Sequence, residues 1–62
     1  SQPHARGTRE QLTVLAGSVR VTSGSAVNAL SVGDTARYAS DVAHSIVAGE
    51  DPTRVFLIVK TV

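Results

Sequence analysis

Hydrophobic and polar residues alternate along most of the chain, and turn-forming residues interrupt the pattern every few positions. Val and Thr are frequent, helical periodicity is absent, and Gly, Ser, Asp and Pro separate the apolar segments. This pattern predicts an all-β fold. The predicted strands cover residues 10–16, 19–22, 26–31, 35–38, 44–48 and 54–61. Short strands at this spacing favour an antiparallel sandwich or small barrel.

The first predicted strand carries a carboxylate on an apolar face. In an extended chain Glu10, Leu12 and Val14 point to the same side. Burying an unpaired charge is costly, so Glu10 is predicted to need a metal ion, a cation or hydrogen-bond donors. His44 begins a later strand and shares its side with Ile46. These two titratable residues are the main candidates for a functional site.

The chain is short, and residues 1–62 are expected to form a single domain. A domain of this size buries only about 60% of the surface that its unfolded chain exposes. Hydrophobic residues make up 42% of the sequence, but there is one Phe, one Tyr, and no Trp, Met or Cys. Because large core residues and disulfides are missing, we expect a homodimer or a barrel completed by a further segment.

The charged residues exclude some classes of function. The net charge is +1, and the cationic residues are spread along the sequence at Arg6, Arg9, Arg20, Arg37, Arg54 and Lys60. A nucleic-acid-binding surface concentrates such residues on one face, so direct nucleic-acid contact is not expected. The longest apolar run, residues 55–59, is too short to span a bilayer, and no signal peptide is visible. The absence of Cys fits the cytoplasm, which is the predicted location.

Two motifs organise the sequence, one in residues 4–17 and the other in residues 33–48. The residues that define them are His4, Glu10, Gly17, Gly33, Asp34 and His44. Their types and spacing resemble the two motifs of the cupin family, in which a His-x-His pair precedes a Glu and a Gly, and a Gly-Asp pair precedes a His. The resemblance implies a cupin-type antiparallel β-barrel, or jelly roll, with the motifs on neighbouring strands.

The cupin resemblance also implies a metal site. Carried over to this sequence, the ligands of a divalent ion (Zn, Fe, Mn or Ni) are His4, Glu10 and His44. Arg6 stands where the family has its second histidine. The other departures are Ala39 and Asp41 in place of Pro and Gly, and Ala48 in place of Asn. Two alternatives remain open: a metal held by three residues, or an ion pair between Glu10 and Arg6 or Arg9.

The style of the motifs resembles the C-terminal cupin sensor domain of bacterial helix-turn-helix transcriptional regulators. No helix-turn-helix is visible in this sequence. The resemblance implies a non-catalytic domain that binds a small-molecule effector and dimerises. The expected polar contacts of the effector are Glu10, His44, His4, Arg6 and Tyr38, and the expected pocket lining is Leu12, Val14, Tyr38, Ile46 and Leu57. The alternative is a small metal-dependent cupin enzyme, an isomerase or dioxygenase, that uses His4, Glu10 and His44.

Three further residues and the last strand have predicted structural roles. Gly17 and Gly33 are expected to serve turns, and Asp34 is expected to accept hydrogen bonds from nearby backbone N–H groups. The segment 54–61 is apolar on both faces, so both faces are expected to be covered.

Overall fold

The computed structural model describes residues 5–61, and this part of the chain contains strands and turns but no helix. The six strands are β1 (Arg9–Ala16), β2 (Ser18–Ser23), β3 (Ala26–Ser31), β4 (Thr35–Ala39), β5 (His44–Ala48) and β6 (Arg54–Lys60). Each corresponds to a predicted strand, with ends that differ by one residue at most, so the all-β prediction is confirmed. A helix long and apolar enough to cross a membrane does not occur between residues 5 and 61.

The strands form two antiparallel sheets of three strands. Sheet A has the order β4-β1-β6, and sheet B has the order β3-β2-β5. In the described segment no strand pairing joins one sheet to the other, so these six strands do not close into a barrel. The cupin-type barrel therefore stays a prediction.

The core lies between the inner faces of the two sheets. Leu12 and Val14 of β1 pack with Val19 and Val21 of β2, and Tyr38 of β4 completes the cluster. Alternation along β1 places Glu10, Leu12 and Val14 inward and fully or nearly fully buried, as the sequence predicts. The core contains few large side chains, because a domain of 62 residues has little interior to fill.

The turn between β3 and β4 confirms the structural roles predicted there. Gly33 adopts a φ of 91°, a left-handed conformation that glycine tolerates better than other residues. The Asp34 carboxylate accepts a hydrogen bond of 2.9 Å from the Ser31 backbone N–H. Backbone hydrogen bonds join Gly33 and Asp34 to Val14, so the turn is held against β1.

Strand β6 is largely exposed on both faces within the described residues, apart from Val55, which packs against the core, and its coverage by another chain stays a prediction. Leu57 and Val59 lie on the inner face of sheet A and are 42% and 47% exposed, while Phe56 and Ile58 lie on the outer face and are also exposed. The strand occupies the edge of sheet A and pairs with β1 alone. Ile46 of β5, at the edge of sheet B, is likewise exposed on the inner face. Ile46 and Leu57, two of the residues expected to line the pocket, are thus partly exposed on the inner faces, and the pocket itself stays a prediction.

Candidate functional site

A buried hydrogen bond between β1 and β4 is the centre of the candidate site. The register of the two strands places Glu10 directly opposite Tyr38 on the inner face. The Tyr38 hydroxyl donates a hydrogen bond of 2.6 Å to Glu10 Oε1, and the two residues are 5% and 4% exposed. Burial raises the pKa of Tyr38 well above its usual value, and the hydrogen bond to Glu10 and the negative charge of its carboxylate raise it further. Tyr38 therefore stays neutral and acts as a donor to the carboxylate.

His44 approaches the same carboxylate from the other sheet. Its Nε2 atom lies 3.6 Å from Glu10 Oε2, and its side chain is buried. The other ring nitrogen, Nδ1, lies 2.9 Å from the carbonyl oxygen of Val42. Since a carbonyl oxygen only accepts, Nδ1 carries the hydrogen in this contact. In the neutral ring Nε2, the nitrogen that faces Glu10, is then the acceptor nitrogen.

The separation of these two atoms fits shared coordination of a metal ion. A distance of 3.6 Å between His44 Nε2 and Glu10 Oε2 exceeds the usual length of a charge-assisted hydrogen bond. Two ligand atoms at tetrahedral positions, each about 2.1 Å from zinc, are about 3.4 Å apart. An imidazole nitrogen and a carboxylate oxygen also suit iron, manganese and nickel. The two residues are therefore of the types of two of the three ligands that the cupin resemblance implies.

The third predicted metal ligand, His4, lies outside the described residues. Among residues 5–61, no group of three or more His, Cys, Asp or Glu side chains is arranged to hold an ion. Glu10 and His44 supply two ligands, whereas a catalytic zinc site has three from the protein. Within the described residues the site thus contains the Tyr38–Glu10 hydrogen bond and the His44 ring beside the carboxylate, and it has fewer ligands than a metal centre needs.

Arg6 is not part of the buried cluster. Its side chain is exposed, and within residues 5–61 neither Arg6 nor Arg9 forms an ion pair with Glu10. The Arg–Glu10 ion pair is therefore not observed among the described residues, where the carboxylate contacts Tyr38 and His44. The role of Arg6 as an effector contact stays a prediction.

Two buried hydroxyl groups that the sequence analysis missed extend the polar end of the core. Thr8 and Ser40 are 1% and 0% exposed, and their side-chain oxygens have no hydrogen-bond partner in the described chain. The Ser40 backbone N–H donates to Thr8 O at 3.0 Å, which continues the pairing of β1 and β4 by one step. Both residues are two positions away from Glu10 or Tyr38, so in an extended chain they point to the same face. This spacing is the sequence feature from which their burial could have been predicted.

The phenol of Tyr38 gives a direct test of this geometry. Because its pKa is raised in the folded protein, the folded state retains the proton that the unfolded state releases above pH ~10. The contribution of the protonated Tyr38 phenol to the free energy of unfolding is therefore fully present below pH ~10 and declines as the pH rises further. Tyr38 is the only Tyr and the chain has no Trp, so tyrosinate absorbance reports this residue alone.

We expect the absorbance change to coincide with alkaline unfolding followed by circular dichroism. In Tyr38→Phe, the part of the alkaline loss of stability that comes from ionisation of the phenol should disappear. Ionisation of Tyr38 near pH ~10 in a protein that is still folded would contradict the buried hydrogen bond.

The structure thus brings three of the predicted contacts into one cluster, namely Glu10, Tyr38 and His44. Comparison of the chain with protein-family models, with curated proteins and with solved structures gave no match. An assignment of function therefore depends on the chemistry of this cluster and on the surfaces around it.

Proposed function

We propose that the chain is a cupin-type domain that binds a small-molecule effector and dimerises, as the sensor part of a bacterial transcriptional regulator. The observation that carries this proposal is the burial of Glu10, Tyr38 and His44 together at one end of a thin core. A carboxylate and an imidazole in a dry interior lower the stability of a small domain relative to apolar residues of similar volume. A binding role gives a reason for keeping them there.

The site favours a particular effector chemistry. The carboxylate oxygens of Glu10 only accept hydrogen bonds, and in the tautomer set by Val42 the Nε2 atom of His44 is an acceptor as well. These are acceptors, so they suit a ligand with hydroxyl or protonated amine donors. The hydroxyls of Thr8 and Ser40 can each donate and accept a hydrogen bond, so they add hydrogen-bonding groups at the same end of the core.

Ligand binding at this position acts on the contact between the two sheets. Glu10 belongs to sheet A and His44 to sheet B, so a ligand that engages both residues favours one relative placement of the sheets. An effector with unequal affinity for two such placements shifts the population between them. In a regulator, this shift would change the orientation of the attached DNA-binding domains.

The exposed apolar strand β6 supports dimerisation. Phe56, Leu57, Ile58 and Val59 are consecutive, exposed and located on an edge strand. A long apolar edge without proline or inward-pointing charge favours pairing with another strand. We place the contact with a second copy at this edge.

The second candidate is a small metal-dependent cupin enzyme of the isomerase or dioxygenase type. The specific observation in its favour is the 3.6 Å separation of His44 Nε2 and Glu10 Oε2, which suits a shared divalent ion. Glu10 and His44 would hold the ion together with His4, and Tyr38 would orient the carboxylate. When bound, the ion supplies Lewis acidity toward a substrate oxygen or a site for O₂.

Native mass spectrometry of the protein as purified separates these functions. We expect a dimer that carries an organic molecule, and we expect Glu10→Gln to lose that molecule while keeping the fold. Glutamine retains the length of the side chain and an oxygen that accepts from Tyr38. Arg20→Gln is the matched control, because Arg20 lies on the exposed face of β2, and this variant should retain the bound molecule.

The other outcomes of this measurement are equally informative. One metal ion per chain, absent from Glu10→Gln and confirmed by elemental analysis, would favour the enzyme. A monomer at all concentrations would contradict the dimerisation. A fully packed dimer without any bound species, unchanged by Glu10→Gln, would indicate a structural role and contradict both binding functions.

A further inference from the structure

Three cationic residues that are far apart in the sequence meet on the outer face of sheet A. Arg9 of β1, Arg37 of β4 and Lys60 of β6 line a pocket of about 150 Å³ together with Gln11 and Glu10. The register explains the grouping, since Arg9 lies opposite Lys60 and Gln11 lies opposite Arg37. We call Arg9, Arg37 and Lys60 with this space the cationic pocket.

The charges of the cationic pocket are not compensated by the described chain. Like charges on directly opposed residues, as at Arg9 and Lys60, destabilise a pair of strands. Within residues 5–61, none of the three cations forms an ion pair with a carboxylate. The carboxylate of Glu10 is directed to the inner face, where it contacts Tyr38 and His44. The outer face therefore has an excess of positive charge at one point.

One of the three cations is already held in position. Arg37 Nε donates a hydrogen bond of 2.8 Å to Gln11 Oε1 on the neighbouring strand. This contact uses one donor and leaves the two terminal nitrogens of the guanidinium. Their fork geometry suits bidentate contact with a phosphate or carboxylate group.

We infer that the cationic pocket binds a small oxyanion, the phosphate or carboxylate group of a small molecule. Its volume of about 150 Å³ accommodates one such group, and all three cations line it. Nucleic-acid binding requires basic residues spread along a stripe or face instead. The three cations lie on the opposite face of β1 from the Tyr38 and His44 contacts, and Glu10 is the residue that the pocket lining shares with the proposed effector site.

An NMR titration of the whole isotope-labelled protein with inorganic phosphate tests this inference. Chloride at the same ionic strength corrects for general screening of exposed charges. We expect saturable changes at the backbone amides of Arg9, Gln11, Arg37 and Lys60. We expect Arg37→Gln to weaken phosphate binding about fivefold, since an exposed charge contact contributes modestly. Arg9→Gln combined with Arg37→Gln should abolish it.

Arg20→Gln is the matched control, because Arg20 is an exposed arginine of sheet B and should leave phosphate binding unchanged. A parallel titration with acetate identifies the natural group: tighter phosphate binding indicates a phosphorylated ligand, and tighter acetate binding indicates a carboxylate. Either result supports the site. The inference is overturned if neither anion saturates, or if Arg37→Gln binds phosphate as well as Arg20→Gln does. A short oligonucleotide that binds through residues across the whole sheet would also overturn it.

Discussion

Replacing Glu10 by alanine is expected to unfold the domain or bring it close to unfolding. The substitution removes the acceptor of the Tyr38 hydroxyl and the carboxylate that faces His44, and both of these groups are buried. A buried polar group that loses its partner costs about 1–3 kcal/mol, and here the Tyr38 hydroxyl and the His44 ring both lose their contact with Glu10. A domain of this length has a total stability of roughly 3–9 kcal/mol. The loss is therefore comparable with the whole free energy of unfolding.

Urea unfolding followed by circular dichroism measures this effect. Gln11→Ala is the matched control: it is the next residue of β1 and points to the outer face, and it loses only the exposed hydrogen bond from Arg37, at a cost of about 1 kcal/mol or less. Glu10→Gln should be milder than Glu10→Ala, because its amide oxygen still accepts from Tyr38. A loss below about 1 kcal/mol in Glu10→Ala would contradict the buried cluster.

A double variant separates the free-energy cost of burying the polar groups from the stabilisation that their hydrogen bond provides. In Glu10→Leu with Tyr38→Phe, both partners of the hydrogen bond become apolar, and such replacements are often neutral or stabilising. We expect this variant to recover much of the stability lost in Glu10→Ala. Recovery would mean that the polar residues are not needed for folding, which strengthens the case that they serve binding.

The inner face of β1 was predictable from sequence because the side-chain period of a strand is two. Glu10, Leu12 and Val14 share a parity, and any extended conformation of this segment places them together. The strand positions were predictable for a similar reason, since turn residues such as Gly33 and Asp34 bound each apolar segment. Local chemistry was sufficient for these features.

The contacts between strands were not predictable, because they depend on register. Tyr38 is 28 residues from Glu10, and only the pairing of β1 with β4 places its hydroxyl 2.6 Å from the carboxylate. The same holds for the cationic pocket, where Arg9 and Lys60 look scattered in the sequence and meet only through the pairing of β1 with β6. A slip of one residue would move every such side chain to the other face.

The exposure of β6 was not predictable for another reason. An apolar pattern on both faces reports that a strand is suited to burial, and it does not say what covers it. Phe56 and Leu57 satisfy the pattern on opposite faces, yet both are exposed in the described chain. The pattern is consistent with coverage by a second copy, as we propose for the dimer.

Replacing Gly17 by alanine is expected to be the second severe substitution. Gly17 links β1 of sheet A to β2 of sheet B and has a φ of 74°, which costs other residues about 1–2 kcal/mol. A Cβ atom there would lie 2.6 Å from the Pro52 carbonyl oxygen and 2.9 Å from Thr53 Cα. Both are backbone atoms, so overpacking adds about 1–3 kcal/mol.

Gly24→Ala is the matched control for this prediction. Gly24 also has a positive φ, 57°, but the nearest atom to an added Cβ is Val42 Cγ2 at 4.0 Å. The conformational cost is therefore similar and the clash is absent, so the difference between the two variants in urea unfolding measures the close approach alone. Equal losses would mean that the loop at Pro52 moves aside freely.

The close approach of Gly17 to the backbone of Pro52 and Thr53 also affects how the two sheets are held together. The chain passes from sheet A to sheet B at Gly17, and it returns from β5 to β6 through the loop that contains Pro52 and Thr53. The Thr53 hydroxyl and the Gly49 N–H both donate to the Ser18 carbonyl oxygen, at 3.2 and 2.9 Å, so the two crossings are held together. A methyl group between them would separate the crossings and loosen the sheets. We therefore expect Gly17→Ala, unlike Gly24→Ala, to impair ligand binding at the cluster between the sheets as well as stability.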